Sequence, residues 1–401
     1  MEPNQRESVF KNQCYSLSVK KDLANPYVTP HLDFYPVDSG GKSIYKLSQS
    51  YKWREALARE NRAPMVAINK KHYYIYEPCQ LQSGVMVVPV YFYQKEDGKL
   101  YAKCLISINC KDFALNYFEI CMWGDKPLSS VCKNKLWEED HGSFTPISLP
   151  NDWREKSGNR IIRHVPIALY CDDTSGNQSK KWNKHISYYF TLAGLPPKVS
   201  NQQYNCHFLS TSNTAGPLEL ADQIVDELKY VINLLSNQNY IKTLAECLLL
   251  FSMVLCFLGD SPMHAEITNT PLPGASLNPC RICHLGVEKR ADKSGEDYIY
   301  QFLGMDSLGN RDVVDYRDWN ETIERSHKLW ETALKKSKDA YRTESKSLGV
   351  QDVINKAFVD ILKDTPWEFP QHLRAIEKIM ALAEHQHHKL FNPFLRLLVY
   401  G

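Results

Sequence analysis

Residues 164–170 read HVPIALY and run on into Asp172-Asp173. Residues 186–192 read ISYYFTL, residues 204–211 read YNCHFLST, and residues 247–258 read CLLLFSMVLCFL before Gly259-Asp260. Each is a short apolar, β-branched or aromatic run bounded by turn residues, the pattern of a buried strand. Between the third and fourth runs, Pro217 opens a stretch in which Leu220, Ile224, Val225, Leu228, Val231 and Leu235 recur at three and four residues. That spacing predicts a helix with one apolar face. The order is strand, strand, strand, helix, buried strand, with an acid closing the first strand and another closing the last.

Working outward, residues 1–62 carry Pro26, Pro30, Pro36 and Ser39-Gly40-Gly41. They read as a loosely ordered extension with a short helix near 46–61. Residues 63–123 hold HYYIY at 72–76 and two further aromatic runs separated by Asp97-Gly98, a hairpin signal, and read as a small antiparallel β module. Residues 124–160, rich in Pro, Gly, Asn and Lys, read as a linker. Residues 161–290 form the informative block, and residues 291–401 become helical and charged. The fold class expected is α+β.

Composition excludes some classes. Of 401 residues, 43% are hydrophobic and 23% charged, so a packed core is affordable and global disorder is not expected. A net charge of +2 makes any nucleic-acid surface a local patch. The opening residues lack a basic segment followed by an apolar one, so no secretory signal is expected. The apolar run at 247–258 is shorter than the ~20 residues of a membrane helix. The 12 cysteines are scattered, and reduced thiols in an intracellular compartment are the default. No GxGxxG, Walker A, GxSxG or HExxH motif occurs, which removes the common dinucleotide, kinase, triad-hydrolase and zincin signatures.

Three constellations could carry chemistry. The first is Asp172, Asp173 and Asp260. Carboxylates at the ends of neighbouring strands can hold divalent cations that clamp the attacking and leaving oxygens of a phosphodiester. The strand order is that of the start of a ribonuclease H-like fold, in which the first and fourth strands are adjacent. The plain alternative is that these aspartates close turns or cap helices. The second is Cys280-Arg-Ile-Cys283, with His284 adjoining. Two thiolates at this spacing can chelate Zn²⁺, but a closed structural site takes four ligands. Imidazoles of 384–388 (EHQHH), namely His385, His387 or His388, could complete it. The alternative is a turn with free thiols and a solvated helix end. The third is residues 179–185 (SKKWNKH), where Lys180, Lys181, Trp182 and Lys184 could grip a phosphate backbone and stack on a base. An exposed hairpin is the plain alternative.

The stretches LYCDDTSGNQSKKWNKH, YFTLAGLPP, NCHFLSTSN, FLGDSPMHAE and NPCRICHLG resemble the divergent transposases of fungal genomes related to CACTA-type (En/Spm) DNA transposases. The resemblance runs from about Asn25 to Leu397. It implies a ribonuclease H-like core with an acidic DDE triad, Mg²⁺ or Mn²⁺ as cofactor, and cutting and joining of DNA at transposon ends. On this resemblance Asp172 matches the first acid, with Asp173 beside it, and Asp260 matches the second. Cys280 and Cys283 match a CxxC that a His pair completes with zinc, and His385 and His388 are the expected partners. The class implies nuclear residence and leaves an oligomer open. In the family, a helix carrying the third acid follows NPFLRL. Here no acid follows Glu384, so the core is expected to be partial and cleavage lost. An active enzyme would need another third acid, such as Glu266. A zinc-stabilised interaction protein without catalysis is the remaining reading.

Overall fold

Four of the strands pair as one mixed sheet. In the computed structural model of the chain, which describes residues 15–132, 136–140, 143–173, 185–234, 248–272, 276–306, 308–311, 314–364 and 370–396, the run at 164–173 is two strands. β1 spans Ile161–His164 and β2 spans Ile167–Asp173. Pro166 separates them because it has no amide to donate to a ladder. β3 (Ile186–Leu192) runs antiparallel to β2, with Asp172 opposite Ser187, and β4 (His207–Ser212) runs antiparallel to β3. The 247–258 run also divides, into β5 (Leu248–Phe251) and β6 (Val254–Leu258). β5 lies parallel to β1, and β6 lies parallel to β2 with Tyr170 opposite Leu258. The spatial order is β4-β3-β2-β6. Parallel neighbours need a long crossover, and helix α2 (Pro217–Leu234) lies in that connection.

Alternation along β2 sends Ile167, Leu169 and Cys171 into the main core. They meet Leu220, Ala221, Ile224, Val225 and Leu228 of α2 there, as the helical spacing predicts. The first 62 residues are less loose than their punctuation implies. Helix α1 (Tyr15–Ala24) buries Tyr15, Val19 and Leu23 in this same core. The Tyr15 hydroxyl bonds Ser252 Oγ, and Asp22 pairs with His207 at 2.6 Å. The single helix expected at 46–61 is instead three short turns, Leu47–Gln49, Lys52–Ala56 and Arg59–Asn61. Extended Ser50 and Leu57 interrupt it, and Trp53 and Leu57 are its buried apolar residues.

The β module has its own core around Tyr73, Phe92, Phe113 and Tyr117. Its Tyr91–Lys95 and Leu100–Lys103 strands pair across Asp97-Gly98, and Gly98 takes a φ of 75° that a side chain would oppose. The stretch 124–160 is not a linker. Leu128, Ile147 and Leu149 are buried in the module core. The Asp152–Ser157 helix is capped by Asn151, and its Arg154 makes hydrogen bonds to the buried Glu77 carboxylate at 2.5–3.1 Å. Polar composition here marks surface hairpins stitched to a core by a few apolar residues.

Helix α3 (Ser261–Ile267) follows β6 directly. The charged region contains α4 (Trp319–Lys335), α5 (Lys338–Leu348), α6 (Val353–Asp364) and α7 (Pro370–His385). Ser337 caps α5, which separates it from α4. Leu329, Trp330, Tyr341, Val359 and Ile379 form a third core. Phe394, beyond these helices, returns to the main core and meets Phe257 of β6 edge to face at 6.0 Å. Among the described residues no helix is long and apolar enough to cross a membrane.

Candidate functional site

Parallel pairing of β2 and β6 carries Asp172 and Asp260 to the same end of the sheet. Their approach is set by Gly259, where a Cβ would stand 3.0 Å from the Cys171 carbonyl oxygen. The two strands come close between the acids, and a side chain at Gly259 would crowd that approach.

Both carboxylates are engaged locally. Asp172 accepts the Tyr170 hydroxyl at 2.6 Å on one oxygen and the Asp173 amide at 2.7 Å on the other. Asp260 caps α3, accepting the Met263 amide at 2.8 Å, so the capping role weighed from sequence is real for this residue. Asp173 is exposed at the strand end. The Tyr170 phenol is pushed up to about 12, first by its hydrogen bond to Asp172, then by burial, with the charges of Asp172 and Asp260 adding. One phenol thus feels both acids. The buried Cys171 thiol is also pushed up to about 12, chiefly by burial and further by Asp172, Glu266 and Asp260. Glu266, half-buried on α3, therefore lies near the strand that bears Asp172, on the Cys171 and Tyr188 side.

Two-metal chemistry needs several converging oxygen ligands. Among the described residues no group of three or more His, Cys, Asp or Glu is arranged to hold a metal ion. Among the described residues the acids do not by themselves make a two-metal site.

The CxxC forms a tight turn. The Cys280 sulfur accepts the Ile282 amide at 3.4 Å. Arg317 Nε donates to the carbonyls of Cys280 at 2.9 Å and Cys283 at 3.1 Å, while its Nη1 donates to Gly349 at 3.2 Å. Burial pushes the Cys280 thiol up, but the amides of Ile282 and Cys283, the Cys283 thiol and the Arg317 charge outweigh it and leave it below the usual thiol value. Burial raises the Cys283 thiol. The imidazoles do not gather around this turn. His284 pairs with Glu321 at 2.9 Å, and His385 is exposed beside Glu384 at 3.9 Å. His388 is exposed on the turn His387–Leu390. No three-ligand group joins the thiols to any of them among the described residues. The His387 ring packs instead on α4, where it meets His327. Lys180, Lys181, Trp182 and Lys184 lie outside the described residues.

Two features escaped the sequence reading. His327, a lone His in a charged helix, meets His387 beside the buried Phe391 ring, and nothing in the local pattern marks that pairing. A cavity of about 660 Å³ runs along β6 between the β module and Phe394, with Trp153, Met253, Phe257 and Trp319 among its walls. It is assembled from stretches of chain spread from Lys52 to Phe394.

A family profile described as a domain of unknown function (DUF8591) matches residues 65–163. That span covers the β module, the supposed linker and the start of the sheet, in agreement with their shared packing. No curated protein matches the chain.

Proposed function

We propose that residues 161–290 are a ribonuclease H-like core of transposase type whose present role is to bind DNA without cutting it. The strand order β4-β3-β2-β6 carries this reading. It combines two antiparallel pairs, a helical crossover and a parallel β2–β6 neighbour pair with an acid at the end of each strand. That arrangement agrees with the resemblance found in the sequence. Asp172 bonded to the Tyr170 hydroxyl and Asp260 engaged as the cap of α3 favour binding over cleavage. Zinc held by Cys280 and Cys283 and nuclear residence belong to the same proposal.

The test is incubation of a labelled DNA duplex with the purified chain and Mn²⁺, beside Asp172→Ala and Asp260→Ala. The expected result is no cleavage by any of the three. Binding is expected to weaken with salt, because phosphate contacts release counterions, and combined alanine substitution of Lys180, Lys181 and Lys184 is expected to reduce that salt slope. Cleavage that both aspartate variants abolish would establish an active nuclease, and Glu266 would be its candidate third acid. Salt-insensitive or absent DNA binding would remove the proposal in favour of a protein-interaction role.

A further inference from the structure

Strand β6 stands at the end of the order β4-β3-β2-β6 and pairs with β2 alone. Its far side therefore carries backbone amides and carbonyls that no strand among the described residues takes. Its sequence, VLCFL, has no charge and no proline to blunt that edge. The bulge at Leu255, which is skipped between Ile167 and Ala168 of β2, is its irregularity. The cavity of about 660 Å³ follows this edge, and every residue from Phe251 to Phe257 lines it. Extended chain of that length spans roughly 20 Å, the length of an ordinary strand. Met253, Val254, Cys256 and Phe257 stay half-buried along it.

The two walls beside the edge differ. Phe257 packs toward Phe394, and with Ile267 and Trp319 these residues make an apolar wall. Leu255 packs on the opposite side, with Trp53 and Leu57, and the turns around those residues bring Lys52, Arg59 and Arg62 to the lining. The Arg62 guanidinium has neutral partners, the carbonyls of Leu57, Glu55 and Val90 and the Tyr76 hydroxyl. Arg59 meets the Glu138 carboxylate at a long 3.6 Å. With Lys156, the lining holds four cations against the two acids Glu60 and Asp152. We propose that β6 accepts an extended peptide of a partner protein as an added strand. That peptide alternates apolar residues, facing Phe394 and Trp319, with acidic residues, facing Lys52 and Arg59. Main-chain hydrogen bonds to β6 supply affinity, and the two unlike walls select the sequence. This role goes beyond DNA binding and does not depend on it.

The experiment titrates the full chain into a fluorescein-labelled, end-capped peptide of about nine residues that alternates valine with glutamate. Binding is read by anisotropy, and amide hydrogen exchange of the complex by mass spectrometry. Saturable binding is expected, with slowed exchange across Val254–Leu258. N-methylation along the peptide removes its main-chain donors and should weaken binding roughly ten-fold or more. A peptide with lysine in place of glutamate should bind less well. Lys52→Glu, at an exposed position, should narrow the preference for the glutamate peptide. No saturable binding by the folded chain, an N-methylated peptide that binds as well as its parent, no preference between the two peptides, or binding without slowed exchange at Val254–Leu258 would each overturn the proposal. Slowed exchange there on concentrating the chain alone, with dimers in sedimentation, would overturn it in favour of a second copy as the occupant.

Discussion

Asn392 Nδ2 donates to Asn269 Oδ1 at 2.7 Å, joining residues 123 positions apart in a fully buried contact. The same Asn392 nitrogen reaches the Ile267 carbonyl at 2.8 Å, and Asn392 Oδ1 accepts the Phe394 amide. Asp352, also buried, accepts the Asn392 amide at 2.8 Å and Asn269 Nδ2 at 3.0 Å. This network fastens the C-terminal end of α3 to α6 and to the Phe394 segment. Buried polar groups are costly when left without partners. Asn392→Ala strands a backbone carbonyl and the Asn269 side chain together. A loss of about 3 kcal/mol in urea unfolding is expected, at the upper end for one buried polar group. A loss below a few tenths would show that water replaces the network.

A second prediction concerns His164, which is buried between Phe251 and Trp53 with neither ring nitrogen hydrogen-bonded. Burial alone drives its pKa down to about 3 from 6.5. The folded state holds the ring neutral, while the unfolded chain takes up a proton below about 6.5. Stability is therefore retained above that pH and lost as the pH falls toward 3, by roughly 1.4 kcal/mol per unit from this one group. His164→Phe keeps the stacking and removes the titration. Unfolding midpoints at pH 7.5 and 5.5 should converge more closely in the variant than in the parent, and an identical pH dependence in the two would refute the assignment.

Glu77 carries a third prediction. It is buried in the β module, and its carboxylate is satisfied by Arg154 and by the Asn151 amide at 3.0 Å. Removing the guanidinium leaves a buried charge without its counterion. Arg154→Ala should cost about 3–5 kcal/mol, and the double change Arg154→Met with Glu77→Leu should cost much less. Equal losses in the single and double variants would mean that packing, not charge, is what Arg154 supplies.

Asp260 permits a separation of structure from chemistry. As the cap of α3, its change to Ala should cost about 0.5–2 kcal/mol, while Asn, an equally good cap, should cost little. If DNA binding is the function, neither substitution changes the affinity of folded protein by more than about two-fold. A large loss with Asp260→Asn at unchanged stability would point to a direct role for the charge.

Strand periodicity and the amphipathic pattern of α2 were legible because each is set by local burial. Ile186–Leu192 and the start of α2 fall where the residues place them. The aspartates were legible as strand ends, since a parallel neighbour pair needs only a strand order to bring them together. What could not be read depends on contacts between distant segments. The packing of α1 rests on Tyr15 finding Ser252, and the solid character of 124–160 rests on Arg154 finding Glu77. The His327–His387 pairing depends on how two helices pack around Phe391. Charged or polar composition describes the outward face of such segments, and their few inward residues do not stand out along the chain.

Phe394 and Tyr15 occupy one core. During synthesis the sheet strands emerge long before residues 391–396 do. Until those residues leave the ribosome, the Phe257 side of the sheet and the underside of α3 remain without their native cover. The β module, whose core is formed from residues 35–149, can consolidate while the chain is still growing. The nascent protein should therefore pass through a state with one finished unit and one adhesive, half-built sheet, the interval in which it most depends on holding chaperones.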